Sequence, residues 1–213
     1  MKKITTLIAS VLLMFSFSSL KAEVNFGVSV MAGLASSSGT EFENGAGSAD
    51  KNSEDIDEVF AGASVFVETE YAGVTVGLDI IPFGVELGSK SRTDSTTDSN
   101  ESTDDSGTYT ASADLENLIT LYANYPIGSN GAYLLGGIHH VTIATNETLP
   151  SSNYGDEDVF GYQVGVGVKE GNYKWEVFYS DFEDISISAT GGSATHVIEA
   201  DADAFGVKFS YLF

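Results

Sequence analysis

The chain ends in the stretch AFGVKFSYLF (residues 204–213), in which every second side chain is apolar. The apolar positions are Phe205, Val207, Phe209, Tyr211 and Phe213. A helix would scatter them over several faces, whereas a β-strand puts all of them on one face and Gly206, Lys208 and Ser210 on the other. The stretch therefore predicts a strand with one apolar face and one small or charged face.

The same alternation recurs along the chain, and no helical period competes with it. One stretch, residues 132–145, is apolar on both faces, so its register stays open. Together with the C-terminal stretch, these segments predict an all-β fold of eight antiparallel strands. The seven further stretches are 24–34, 59–71, 74–80, 115–125, 132–145, 160–168 and 173–179.

The links between these stretches alternate in length. Short turns lie at 71–74, 126–131 and 170–172, whereas long segments rich in Ser, Thr, Asp, Glu and Gly separate the other strands. This alternation is typical of an up-and-down β-barrel of the outer membrane, with short periplasmic turns and long extracellular loops. The predicted loops are 36–57, 84–113, 146–158 and 184–203, and they carry 20 of the 31 Asp and Glu residues.

The glycines indicate which face of the strands is the interior. Many glycines share a face with Lys208, Asp79 and Glu176, and an eight-stranded barrel has an interior only just wide enough for side chains. Aromatic residues gather on the apolar face near the short turns, as they do where lipid headgroups meet hydrocarbon; the same tendency favours an outward Tyr133. We therefore expect the apolar stripes to face lipid. A secreted β-sandwich is the alternative, but it would not place rings at one end of most strands. The predicted girdle comprises Tyr71, Tyr125, Tyr173, Trp175, Tyr211 and Phe213.

Residues 1–22 have the pattern of a secretory signal peptide. Lys2 and Lys3 precede an apolar core at 7–17, and Ala22 offers a small residue at the cleavage site. The apolar run is shorter than the ~20 residues that a membrane-spanning helix needs. We expect Sec-type export, removal of 1–22 and a single barrel domain over 23–213.

The chain of 213 residues is strongly acidic, with a formal net charge of −22. Such a charge repels nucleic acid, which is therefore not expected as a partner. The absence of Cys removes disulfides and thiolate metal sites. The Gly-rich segment 161–167 lies inside a predicted strand rather than between a strand and a helix, so it predicts no phosphate loop, and we expect no cofactor.

Residues 23–213 resemble the small eight-stranded outer-membrane proteins of the OmpA/OmpX type, a group that includes OmpW-like barrels. The resemblance covers the barrel domain only. It rests on the strand plan and on the closing Phe205-x-Val207-x-Phe209-x-Tyr211-x-Phe213, which is similar to the signal read by the outer-membrane assembly machinery. The resemblance implies a monomer in the outer membrane of a Gram-negative cell, with the lipid bilayer and that assembly machinery as its partners.

The inner face of the predicted barrel carries charged residues that need partners, because an unpaired charge in a narrow interior costs several kcal/mol of desolvation. We expect these residues to form an internal ion-pair plug that closes the barrel. A gated or proton-conducting path through the same groups is the alternative. The candidates are Lys208, Glu176, Asp79, Glu68 and Lys174.

Two acidic segments, GDED (155–158) and EADAD (199–203), invite a comparison with calcium sites, because hard cations bind carboxylate oxygens. Neither segment has the spacing of a known calcium loop. Solvated, mutually repelling carboxylates are therefore the main expectation, and weak bridging by divalent cations is the alternative.

Three histidines raise the question of a lipid hydrolase in the outer leaflet. His139 and His140 are neighbours on a strand and should point to opposite faces, while His196 lies near Ser193 in a predicted loop. No spacing defines a Ser-His-acid triad, which is recognised by geometry rather than by order along the chain. We expect no catalytic residues.

Taken together, the sequence predicts a non-enzymatic structural barrel that contributes to envelope integrity and to surface contact or adhesion. A narrow pore for small solutes or ions is the first alternative function. A lipid hydrolase of the outer leaflet is the second.

Overall fold

A computed structural model describes residues 23–42, 51–94, 107–148, 153–190 and 196–213. The predicted signal peptide, 1–22, lies outside the described residues. Within the described ranges every regular element is a strand, and no helix is long and apolar enough to cross a membrane. The strands are β1 (Val24–Phe42), β2 (Lys51–Tyr71), β3 (Val74–Ile81), β4 (Val85–Asp94), β5 (Gly107–Pro126), β6 (Ala132–Glu147), β7 (Asn153–Tyr154), β8 (Glu157–Glu170), β9 (Tyr173–Phe182), β10 (Ile185–Thr190) and β11 (Val197–Leu212).

The sheet closes on itself. Each strand in the series β1, β2, β3, β5, β6, β8, β9 and β11 pairs antiparallel with the next, and β11 pairs with β1 from Gly27↔Leu212 to Phe42↔Val197. Closure leaves no unpaired edge on this ring. The predicted all-β, eight-stranded antiparallel up-and-down barrel is therefore confirmed.

Three further strands prolong the ring at one end. After β3, Pro82 interrupts the ladder because proline has no backbone N–H to donate, and β4 then continues the pairing along β5. In the same way, β10 continues the pairing of β9 along β11, and the short β7 pairs with β10. We call this end the long-link end, and the opposite end, with turns at 72–73, 127–131 and 171–172, the short-turn end.

The four segments predicted as loops are in part strand, which corrects that expectation. β1 runs on to Phe42 and stays paired with β2 back to Lys51. Polar residues hold this extension together, since Ser36 Oγ donates to Asp57 Oδ1 at 2.8 Å. A Ser- and Asp-rich composition does not prevent backbone pairing once a neighbouring strand supplies the partner. Residues 43–50, 95–106, 149–152 and 191–195 of the predicted loops lie outside the described residues.

The outer face near the short-turn end is apolar and uncovered. Val207 is 54% exposed, whereas Lys208, the next residue, is 7% exposed. The predicted girdle lies on this outer face: Trp175 packs on Phe209 with ring centroids 4.4 Å apart. Of the six girdle residues, Tyr211 is half-buried, and the exposed ones are Tyr71, Tyr125, Tyr173, Trp175 and Phe213.

Tyr133 does not join this outer girdle, and the expectation that it points outward was wrong. Its side chain lies in the barrel interior, and the residue is 6% exposed. Gly167, its partner across the β6–β8 ladder, leaves space for the ring. The phenol oxygen also finds an acceptor inside, because it donates to Glu176 Oε1 at 2.8 Å. Space and a hydrogen bond thus outweigh the general preference of tyrosine for an interface.

Candidate functional site: the barrel interior

The five candidate charged residues come from four strands and all lie on the inner face. Glu68 is on β2, Asp79 on β3, Lys174 and Glu176 on β9, and Lys208 on β11. Strand alternation puts each of them opposite to the exposed apolar stripe, and all five are buried. We call the interior around these residues the lower lumen.

Lys208 joins two carboxylates from different sides of the lower lumen. Its Nζ lies 2.9 Å from Glu176 Oε2 and 3.4 Å from Asp79 Oδ2. Glu176 is its direct partner across the β9–β11 ladder. Asp79 reaches it across the interior, because β3 is not a neighbour of β11 in the ring.

Lys174 forms a second centre with Glu68. Its Nζ donates to Glu68 Oε2 at 2.8 Å, and the two side chains are 3% and 1% exposed. Lys169 Nζ lies 3.6 Å from Glu68 Oε1 and is 41% exposed, so it reaches this centre from the short-turn end. Since β2 and β9 are not neighbours in the ring, the contact between Lys174 and Glu68 also crosses the lumen.

Aromatic residues outside the five charged candidates complete the network. Tyr122 donates from its hydroxyl to Glu68 Oε2 at 2.8 Å, as Tyr133 does to Glu176. The Lys174 ammonium lies 4.7 Å from the centroid of the Phe66 ring and 5.1 Å from that of Tyr122. Hydrogen bonds to ionised groups and cation–π contacts both gain strength where water is excluded.

Glycines make room for these rings. Each of the three aromatic residues faces a glycine on the neighbouring strand, and a Cβ at any of the three glycines would overlap the facing ring. An aromatic residue directly opposite a glycine is therefore the sequence signal that could have identified the inward rings, once the register was known. The pairs are Phe66 with Gly27, Tyr122 with Gly77, and Tyr133 with Gly167.

His139 lies in the interior above the lower lumen. The residue is 2% exposed. Its Nδ1 is 2.8 Å from Thr120 Oγ1, and its Nε2 is 2.9 Å from Ser180 Oγ. Both ring nitrogens are thus paired with hydroxyls, and no described carboxylate hydrogen-bonds the ring. The arrangement lacks the acid that a Ser-His-acid triad requires.

The other two histidines lie elsewhere. His140 is on the outer side of the barrel, edge-on to Phe160 with ring centroids 5.0 Å apart. His196 Nδ1 lies 3.5 Å from Glu41 Oε1, and Ser193 is outside the described residues. In the described part of the chain, the three histidines therefore lie in different places and form no common site.

The interior at the long-link end is apolar, and we call it the upper lumen. Its walls come from β6, β7, β8 and β10, with partly buried alanines and leucines packed against them. Tyr154 donates from its hydroxyl to Glu41 Oε1 at 2.7 Å, which ties this cluster to β1. The buried members are Val141, Ile143, Tyr154, Val159, Ile185 and Ile187.

A cavity of about 90 Å³ lies between the lower and the upper lumen. Asp79 and Lys208 reach it from the lower lumen, and Ile143 reaches it from the upper lumen. Asp79 Oδ1 is buried and has no hydrogen-bond partner among the described residues. A second cavity, of about 250 Å³, is at the short-turn end and is lined in part by Glu68 and Lys174. The charge network therefore stands between two cavities.

The acidic segments offer no formed metal site in the described part of the chain. No three His, Asp or Glu side chains there come together in an arrangement that could hold a metal ion. Asp158 of the GDED segment accepts a hydrogen bond from Thr142 at 2.9 Å. In the EADAD segment, a hydrogen bond with Asp184 and the charge of that residue raise the pKa of the Asp201 carboxyl.

No protein-family model matches this chain. No curated protein sequence matches it either.

Solved structures of outer-membrane barrels are similar to this chain. The outer membrane protein OprG from Pseudomonas aeruginosa matches with a TM-score of 0.54 at 13% identity, over 88% of this chain and 95% of that one. Neisserial surface protein A gives 0.47 at 10% identity, over 90% and 99%. The outer membrane protease OmpT from Escherichia coli gives 0.48 at 14% identity, over 92% and 99%. At these identities the similarity to OprG establishes the fold alone.

Proposed function

We propose that this chain is a sealed, structural outer-membrane barrel that contributes to envelope integrity and to contact at the cell surface. The observation that carries the proposal is the buried charge network, in which lysines and carboxylates from opposite sides of the barrel meet across the lumen. The OmpA/OmpX/OmpW-like kinship suggested by the sequence remains part of this proposal.

The outer face supports a membrane location. Large apolar side chains such as Phe26, Val59 and Val207 are more than half exposed. A soluble monomer rarely leaves a contiguous apolar surface of this kind open to water. An apolar outer band with aromatic residues near its margin is what a membrane barrel presents to lipid.

The network supports a closed lumen rather than a channel. An ion moving along the axis would have to separate Lys208 from Glu176 and Lys174 from Glu68. The rings of Phe66 and Tyr122 contact the Lys174 ammonium. Tyr133 is hydrogen-bonded to Glu176, so all three buried rings lie in the layer of the ion pairs. Breaking buried ion pairs without replacing them leaves uncompensated charge, which opposes conduction.

The long-link end supports a role at the cell surface. In an outer-membrane barrel this end faces outward, and here the paired strands β4, β7 and β10 prolong the barrel at this end. Its segments hold most of the acidic residues, so contact surfaces that are basic or bridged by divalent cations suit it best. A non-enzymatic role fits the hydroxyl pairing of His139.

A narrow pore is the second candidate function, and the two cavities on either side of the network favour it. In that case the network would act as a gate between them. Conductance in planar bilayers separates the two functions. We expect the purified protein to give no steps of ionic conductance, and Lys208→Met to remain closed as well. On gels, a folded barrel runs as a separate band unless the sample is heated enough to unfold it, and we expect Lys208→Met to lose this folded band at a lower temperature than the unmodified protein.

Lys51→Met is the matched control, because Lys51 is exposed at the long-link end and outside the network. It should change neither conductance nor thermal stability. Ion-conducting steps from the unmodified protein would contradict the sealed barrel. A new open channel in Lys208→Met alone would assign the network to a gate.

A further inference from the structure

Asp79 lines the cavity of about 90 Å³ between the lower and the upper lumen, and one oxygen of its carboxylate has no hydrogen-bond partner among the described residues. Asp79 Oδ2 is 3.4 Å from Lys208 Nζ, a long contact, while Oδ1 of the same carboxylate is buried without a partner among the described residues. A buried carboxylate oxygen in this state costs free energy unless a donor reaches it. The cavity is the space from which such a donor can come.

The walls of the cavity are apolar above this acceptor. It is lined by apolar residues that include Phe60, Phe178, Leu115 and Leu118. Such walls favour an alkyl or other apolar group, and a hydrogen-bond donor of the same ligand would bind at the Asp79 end. The cavity therefore has the polarity of a site for a small molecule with one polar head.

The charges along the cavity favour a cation. Glu58 is two residues from Phe60 on the same strand, so both lie on the inner face. Glu58 lines the cavity and is also exposed to solvent. It therefore marks a route from water into the interior. Of the Asp, Glu and Lys residues that line the cavity, Asp79, Glu58 and Asp203 are acidic and Lys208 is basic. Because Lys208 is already paired with Glu176, negative charge is in excess both at the mouth of the cavity, beside Glu58, and at its floor, beside Asp79.

We propose that this cavity binds a compact organic cation, of the chemical class of short-chain primary alkylammonium ions. Its ammonium group would donate to Asp79 Oδ1, and its alkyl chain would lie against Phe60 and Phe178. One water molecule needs about 10–15 Å³ of such cavity volume, so the space of about 90 Å³ accommodates a chain of a few heavy atoms. The site lies above the charge network and requires no conduction, so it goes beyond the sealed-barrel function and stands apart from it.

The test uses n-butylammonium, 1-butanol and butyrate as probes of equal length and different charge. Their binding to the full chain in detergent micelles is followed by saturation-transfer NMR, with empty micelles as a blank. We expect n-butylammonium to bind at least tenfold more tightly than 1-butanol, and butyrate not to bind. Equal binding of all three, or tighter binding of butyrate, would overturn the proposal.

Two variants test the charge of Asp79 and the volume of the cavity separately. Asp79→Asn keeps the shape and removes the charge, and it should abolish the preference of at least tenfold for the cation. Ala204→Leu keeps the carboxylate and fills the cavity, because Ala204 is a lining residue; it should remove the binding of both n-butylammonium and 1-butanol. Glu183→Gln is the matched control, an exposed acid that does not line the cavity, and it should leave binding unchanged.

Each variant is first checked for the folded, heat-modifiable band on gels. If Asp79→Asn does not fold, Ala204→Leu decides alone. Retained n-butylammonium binding in folded Ala204→Leu would place the cation elsewhere and refute the proposal. An open channel in the conductance test would refute the sealed barrel and leave this binding result unaffected.

Discussion

The lower and the upper lumen are two halves of one interior with opposite chemistry. Along β11, Lys208 faces inward and Val207 outward near the short-turn end, whereas Ile198 faces inward and Glu199 outward near the long-link end. The hydrophobic pattern therefore inverts within a single strand. An apolar outer face suits lipid, and an acidic outer face suits water. The inversion indicates that the same barrel crosses from one solvent into the other.

The same inversion occurs on the neighbouring pair of strands. Trp175 and Val177 of β9 point outward with Glu176 inward, but Ile187 of β10 is buried and Ser188 is exposed. At 183–184, where β9 gives way to β10, the register of pairing with β11 shifts by one residue. The lower half of the barrel therefore depends on ion pairs in its interior, and the upper half on an apolar core like that of a soluble protein.

The largest expected effect comes from removing one partner in the lower lumen. Glu176→Leu removes the acceptor that Lys208 and Tyr133 share, and we expect a loss of about 3–5 kcal/mol in the free energy of unfolding. Denaturant titration of the folded band measures it. Replacing both members, in Glu176→Leu with Lys208→Met, should recover part of the loss. A single variant as stable as the original protein would show that the network contributes nothing to the lower half.

The second effect concerns the core of the upper lumen. Ile187 is 6% exposed, so Ile187→Ala should destabilise the long-link end by about 2–4 kcal/mol through the cavity that it leaves. Because the lower half rests on different contacts, protease cleavage near β10 should rise while the heat-modifiable band remains. Ser188→Ala, on the exposed side of the same strand, is the control. Loss of the whole barrel in Ile187→Ala would mean that the two halves unfold as one unit.

The third effect tests the pairing of rings with glycines. Gly167→Ala forces Tyr133 to move, because the added Cβ overlaps its ring, and we expect a cost of about 1–3 kcal/mol. Gly136→Ala, with open space around its position, should be neutral. The cost should be smaller in a Tyr133→Phe background if the hydroxyl bond to Glu176 holds the ring in place. Equal effects of the two alanines would contradict the packing described for this layer.

The smallest effect is a pH dependence of the long-link end. Asp184 raises the pKa of the Asp201 carboxyl above its ordinary value of 3.8, so the folded chain holds this proton more tightly than the unfolded chain. The associated stability is therefore present below 3.8 and is lost as the pH rises through the raised value. Asp201→Asn should remove this dependence, measured by hydrogen exchange of β10 and β11. An unchanged pH profile would refute the interaction.

The sequence predicted the ring of strands and the outward stripes because strand alternation depends only on neighbours along the chain. Lys208 and Glu176 could be placed together since they face each other on adjacent strands. The contact between Lys174 and Glu68 crosses the lumen, and no local pattern encodes which distant strands meet there. Tyr133 was misplaced because both faces of 132–145 are apolar, so a preference for interfaces outweighed the signal from Gly167.

The extent of the strands was underestimated for a related reason. The apolar outer stripe that identifies each strand ends where the pattern inverts near Ala204. Beyond it, the half-buried residues Ile198, Ala200 and Ala202 pack against the core of the upper lumen, and Glu199 and Asp201 are exposed. Their composition, rich in acids and small residues, is typical of loops when it is taken without its alternation.

Spin-label accessibility tests the inversion most directly. Nitroxides at Val166 and Val207 should be reached by oxygen dissolved in lipid and shielded from a water-soluble paramagnetic reagent, while nitroxides at Ser188 and Glu199 should show the reverse. A label at Gly165 should be shielded from both. Water-exposed or protein-packed labels at Val166 and Val207, with a lipid-exposed label at Gly165, would contradict the assignment of the two faces.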